Sequence, residues 1–125
     1  MGEVVSLDEY NAEARRSGTP SPGHGMDVFF DRRELSQLLN LYGTMVARGE
    51  WRDYAIGHDR ECCTFAVFER TSEAPLFRIS KRPKLARKQG AFQVQSRDGR
   101  IARRGHTLEA VLRVFERKLW QVVEN

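Results

Sequence analysis

RISKRPKLARKQGAFQVQSRDGRIARR, from Arg78 to Arg104, decides how this 125-residue chain folds. Two patterns are superposed in it. The first is alternation. Together with Phe77 just ahead of the stretch, Ile79 points to one side of an extended segment and Arg78 and Ser80 to the other. Phe92 and Val94 alternate with Gln93 and Gln95 in the same way. A period of two marks strands with one buried face. Pro83 closes the first strand and biases Arg82 towards an extended backbone. Lys84-Leu85-Ala86-Arg87-Lys88-Gln89-Gly90 then sets good helix formers between a proline start and a glycine stop, enough for one or two turns with Leu85 tucked in. Asp98-Gly99 is the strongest hairpin signal in the chain and turns it into Arg100–Arg103.

The second pattern is charge. The stretch holds ten Lys/Arg against one acid, Asp98, a net +9. The whole chain has 21 basic and 17 acidic residues, +4, so everything outside the stretch sums to −5. Concentrated positive charge of this kind predicts an anionic partner. Strand and loop would bring Arg78, Lys81, Arg82, Lys84, Arg87, Lys88, Arg100, Arg103 and Arg104 to one face, as the anion- or nucleic-acid-binding residues. The planar fork of arginine grips a phosphate in two places, and Gln89, Gln93 and Gln95 would add donors beside it. The competing reading is a solvated sheet face whose Lys and Arg deter edge-to-edge pairing. Ten charges to one exceed what solubility asks of a surface, which normally mixes signs. The one aromatic of the stretch, Phe92, goes to the core. Contact with the nucleic-acid backbone or with its shape is therefore expected in preference to base stacking.

Working outward, Thr71–Pro75 is a turn. Ahead of it, Cys62–Glu69 and Trp51–Ile56 read as strands joined by Gly57-His58-Asp59-Arg60. Upstream again, Asp31 with Glu34 forms a capping-box pair, and Phe30 with Leu35 occupies the positions of a hydrophobic staple. Leu35, Leu38, Leu39, Tyr42, Met45 and Val46 then fall at helical spacing until Gly49 stops the helix. On the other side, Thr107 caps a last helix whose apolar stripe is Leu108, Val111, Leu112, Phe115, Leu119 and Val122. The expected fold is α+β: an antiparallel four- or five-stranded meander between an N-terminal and a C-terminal helix, both packed on one face. It occupies residues 28–125. Residues 1–27 are expected to be a flexible N-terminal tail, because residues 15–25 hold too few apolar groups to bury and two prolines that break regular structure. Within it, Val4–Tyr10 is an apolar island with some strand or helix character.

Several function classes fall away. There is no apolar run long enough for a transmembrane helix and no secretory signal pattern, so a cytoplasmic protein without a membrane partner is expected. The adjacent Cys62 and Cys63 read as reduced thiols on a strand, because a disulfide scaffold needs more cysteines. His24, His58 and His106 share no metal-ligand spacing. No phosphate-binding glycine loop or nucleophile elbow occurs. Asp53, Asp59 and Glu61 gather near the first turn, which a solvated turn explains as well as an acid/base site does. Trp51 is read as a ring sealing the helix–sheet junction. No catalytic residue, metal, cofactor or small-molecule substrate is therefore assigned, and the chain is read as a binding module and not an enzyme. Its expected partner is nucleic acid. The alternative is an adaptor or regulator whose basic face docks on an acidic protein, since complementary charge also sets protein pairing.

Two resemblances bear on this. The helix–strands–helix order is similar to that of double-stranded-RNA-binding domains, but the basic signature those carry at the second helix has no match in Gly105-His106-Thr107-Leu108-Glu109, so no RNA contacts carry over. More specific wording lies in Arg33-Glu34-Leu35, Leu41-Tyr42-Gly43-x-Met45-Val46, Gly49-Glu50-Trp51-Arg52-Asp53-Tyr54-Ala55-Ile56, Lys84-Leu85-Ala86-Arg87-x-Gln89-Gly90-Ala91 and Arg104-Gly105-His106. Over about residues 29–120 the chain resembles a small alphaproteobacterial family, domain of unknown function 2794. The resemblance implies a compact bacterial cytoplasmic protein and brings no activity with it.

Overall fold

The computed structural model describes residues 3–5, 27–69 and 74–124, with side chains for 27–69 and 74–116. The expected flexible tail, residues 1–27, lies outside the described residues apart from residues 3–5 and Asp27. The first helix, α1 (Arg32–Ala47), begins where the capping box predicts. Asp31 is extended, its carboxylate accepts from the Glu34 amide at 2.8 Å, and Glu34 Oε1 accepts from the Asp31 amide at 2.8 Å. Two of the donors a helix start leaves open are thereby satisfied. Gly49, in the left-handed region at φ 77°, ends the helix. Leu35, Leu38 and Met45 are buried, and Leu39 and Tyr42 pack partly against the core. Val46, read as part of the stripe, is 40% exposed. It lies in the last turn of the helix, one residue before its end.

Five strands follow in chain order: β2 (Asp53–His58), β3 (Cys63–Phe68), β4 (Phe77–Lys81), β5 (Phe92–Ser96) and β6 (Ile101–Gly105). Each pairs antiparallel with the next, the meander expected from short loops. A three-residue strand, β1 (Glu3–Val5), from the apolar island near the start, adds to the outer edge of β2 opposite Ile56–His58. The sheet order is therefore β1-β2-β3-β4-β5-β6. The hairpin between β5 and β6 turns at Asp98-Gly99, with Gly99 at φ 89°. A bulge between Val94 and Gln95 leaves Ala102 as an extra residue on β6. The last helix, α2 (Leu108–Glu124), starts at Thr107, whose Oγ1 accepts from the Ala110 amide at 3.1 Å.

Both helices cover one face of the sheet. Strand alternation sends Ile56, Phe65, Val67, Phe77, Ile79, Phe92 and Val94 to that face, where they meet Leu38 and Met45 of α1 and Val111 and Phe115 of α2. The rings interlock edge to face: Phe115 against Trp51 at 5.3 Å and Phe77 at 4.9 Å, Tyr42 against Tyr54 at 4.8 Å. Trp51, 1% exposed, seals the junction as expected. The chain is thus an α+β domain in which a five-stranded meander lies between two helices on one face. No helix among the described residues is long and apolar enough to cross a membrane.

Candidate anion-binding face

The face of the sheet turned away from the helices is built by the other half of each alternation. The register sets Gly57, Thr64, Ser80, Gln93 and Arg104 side by side across β2 to β6. One step along, Ala55, Ala66, Arg78 and Gln95 form a second row. Its floor is small: Ser80 is 4% exposed and its Oγ lies 3.2 Å from Thr64 Oγ1, with Ala66 beside them. From this floor rise four long polar side chains, Arg78, Gln93, Gln95 and Arg104.

The nine residues expected on one basic face divide by what they touch. Lys81 shares the inward parity of Phe77 and Ile79 and does not reach the outer face. Its ammonium donates to Glu34 Oε1 at 2.7 Å and to the Phe29 carbonyl at 3.0 Å, pinning the start of α1 to the sheet. Lys84 lies 3.7 Å from Glu61, and Arg100 lies 3.6 Å from Asp98. The Asp59 carboxyl is held below the usual carboxylate range mainly by the Cys62 amide, then by the Glu61 amide, and Arg82 adds a smaller pull without forming an ion pair. That leaves Arg78, Arg87, Lys88, Arg103 and Arg104, which have no carboxylate partner among the described residues. Arg103 sits opposite Val94, on the helix side of β6. The other four belong to the outer face or to the loop at its end. Arg100, with Arg97, is at the far end of the strands, so the charge of residues 78–104 is split between the two ends of the sheet.

The connection from β4 to β5 makes the denser end. Pro83–Leu85 is a 3-10 turn, and the Leu85 carbonyl accepts from the amides of Lys88, Gln89 and Gly90. The Arg82 amide donates to the Ala91 carbonyl at 2.6 Å and closes the loop at its base. Gly90, at φ 95°, runs so close to the end of β6 that a Cβ there would sit 2.2 Å from the Gly105 carbonyl oxygen. Only a glycine allows both that backbone conformation and that approach. The contact seats the loop on the β6–α2 junction, and Arg104 Nη1 donates to Gln89 Oε1 at 2.7 Å. Arg87, Lys88, Gln89 and Arg104 are all exposed there.

The residues weighed for catalysis have other contacts. Asp59 caps its own turn, its carboxylate accepting from the Glu61 and Cys62 amides at 2.8 Å each. His58 is buried, with Nδ1 2.7 Å from Asp27 Oδ2 and its ring 4.7 Å from that of Phe29. Asp53 accepts from the Tyr54 amide. Cys63 is buried and Cys62 half-buried, both as free thiols. Among the described residues no group of three or more His, Cys, Asp and Glu is placed to hold a metal ion. Sequence reasoning missed the role of Lys81, although its parity with Ile79 signalled it, and the Gln89–Arg104 contact, which no local pattern signals.

Neither a curated protein nor a solved structure matches the chain. A family model does. Two of the stretches that carried the family resemblance, Lys84–Ala91 and Arg104–His106, meet at the loop-to-strand contact just described. The model of the family described as "Protein of unknown function (DUF2794)" matches residues 28–112, from the segment leading into α1 to the second turn of α2, and the chain belongs to that family.

Proposed function

We propose that this protein binds the sugar–phosphate backbone of a nucleic acid along the outer face of its sheet. One observation carries the reading: Arg78, Arg87, Lys88 and Arg104, which have no carboxylate partner among the described residues, belong to that face and the loop beside it. A charge left unpaired on a surface is available to displace counterions from phosphates. Arg78 and Arg104 are two strands and two residues apart, about 12 Å by strand spacing and rise, so the four cations form a short track. Among the described residues Phe68 is the one aromatic ring with outward parity on β2 to β6, and it is half-buried at the end of β3, which favours contact with phosphates over stacking on bases.

Fluorescence anisotropy with labelled single- and double-stranded oligonucleotides at rising salt tests this. Four phosphate contacts imply that affinity falls about 50-fold for a single strand, or about 150-fold for a duplex, between 50 and 200 mM salt. Replacing Arg87 and Lys88 by Glu should abolish binding while the far-ultraviolet circular dichroism stays unchanged. Absence of binding at low salt, or binding indifferent to these substitutions, removes the reading. A protein partner that survives nuclease treatment, and is lost on the same charge reversal, would replace nucleic acid by an acidic protein.

A further inference from the structure

We propose that the corner where the β4–β5 loop meets the end of β6 is a preorganised seat for one phosphate group. In it Gln89 is the positioning residue that aims the guanidinium of Arg104. The proposal rests on the nucleic-acid reading for its natural ligand, a backbone phosphodiester, and adds to it the place and the means of the grip.

An exposed arginine ordinarily samples many rotamers, and ordering it costs free energy at the moment of binding. Arg104 is exposed, yet its Nη1 is already tied to Gln89 Oε1 at 2.7 Å. Gln89 is itself held, because its amide and that of Gly90 both donate to the Leu85 carbonyl. The loop as a whole is held in turn by the approach of Gly90 to the Gly105 carbonyl and by the Arg82–Ala91 hydrogen bond at its base. One nitrogen of the Arg104 fork is therefore anchored and the rest of the fork remains for an anion, with Lys88 next to Gln89 in the chain and Arg87 one residue before that. Arg104 also faces Gln93 across the β5–β6 pair, which adds a neutral donor on the same face. No carboxylate among the described residues competes for this guanidinium. The ligand chemistry that matches is a tetrahedral oxyanion taking two or more charge-assisted hydrogen bonds.

The two roles separate in a double-mutant cycle read by oligonucleotide affinity against salt. Arg104→Ala removes a charge, so it should lower the salt slope by about one contact. Gln89→Ala keeps every charge, so the slope should stay at the wild-type value while affinity falls roughly 2- to 12-fold, the cost of ordering one long side chain. On the Arg104→Ala background, Gln89→Ala should have no further effect. A Gln89→Ala variant that binds like wild type, or whose effect adds to that of Arg104→Ala, overturns the proposal and leaves the nucleic-acid reading intact. If the wild-type chain binds no oligonucleotide at low salt, the decisive probes are inorganic phosphate and inorganic polyphosphate, followed by side-chain amide and guanidinium NMR shifts. Shifts at Gln89 and Arg104 would keep the seat and assign it another phosphate ligand, whereas unmoved signals would overturn it.

Discussion

Replacing Gly90 by Ala tests the loop-to-strand contact most directly. Two costs add at this position. A residue with a Cβ held at φ 95° loses about 1–2 kcal/mol relative to glycine. The new methyl would also fall 2.2 Å from the Gly105 oxygen and 2.3 Å from its carbonyl carbon. Both are backbone atoms of a paired strand and cannot swing aside, so the overlap must be relieved by moving the loop or the end of β6, at about 1–3 kcal/mol. The sum is about 2–5 kcal/mol. For a domain of this size a loss of 3 kcal/mol lowers Tm by roughly 12–24 °C. Urea denaturation of wild type and variant, followed by circular dichroism, measures it, with an unchanged m-value showing that the shift in midpoint is a change in stability. Gly43 supplies the control: it is exposed in the middle of α1 with nothing within 4 Å of a built Cβ, so Gly43→Ala should stabilise by about 1 kcal/mol. A Gly90→Ala variant within 0.5 kcal/mol of wild type, by the ordinary scatter of surface changes, would refute the argument that the loop is wedged on β6.

Lys81→Met should destabilise by about 2 kcal/mol, the scale of hydrogen bonds to charged groups, because Glu34 and the Phe29 carbonyl lose their shared donor. It should leave oligonucleotide affinity at the wild-type value, so a salt-dependent loss of binding in this variant would return Lys81 to the interface. Asp59 is held below its ordinary carboxylate value mainly by the Cys62 amide. A folded-state pKa lower than the unfolded one gives stability that is complete above the unfolded pKa, near 3.8, and disappears as pH falls through the folded value. Asp59→Asn should therefore flatten the stability–pH curve below about pH 4 and change it little at pH 7 and above beyond a constant offset. An acid limb that keeps its wild-type slope would show that the turn carboxylate does not contribute there.

The parts of the fold written in neighbouring residues were legible. The capping box of Asp31 and Glu34, the Asp98-Gly99 turn and the alternation of Phe77 and Ile79 each have a mechanism that acts within a few positions. The nine-residue basic face was legible only as charge. Which cations remain available depends on contacts between distant segments: Lys81 meets Glu34 across 47 positions, and Arg104 meets Gln89 across 15. The wedge of Gly90 on Gly105 is likewise invisible locally, since a glycine ending a helical turn is explained by the turn alone. The strand at Glu3–Val5 overlaps the Val4–Tyr10 island, whose strand or helix character was legible, but its three paired residues are too few to show a period. It forms where β2 offers an edge, and that edge exists only in the folded sheet.

The bulge opposite Val94 and Gln95 decides which arginine looks outward. Counted from the hairpin turn without it, Arg103 would lie opposite Gln93 and Arg104 would turn inward beside Phe92, since a slip of one residue exchanges the two sides of a strand. Ala102 is thus a spacer whose worth is positional: it has no chemistry of its own, yet its presence determines the polarity of the edge. An insertion or deletion of one residue between Arg100 and Arg103 would rewrite the surface while leaving composition and net charge almost untouched. Two chains of this family alike in every count of Lys and Arg can therefore differ in what they hold, and the length of this hairpin is the quantity by which to compare them.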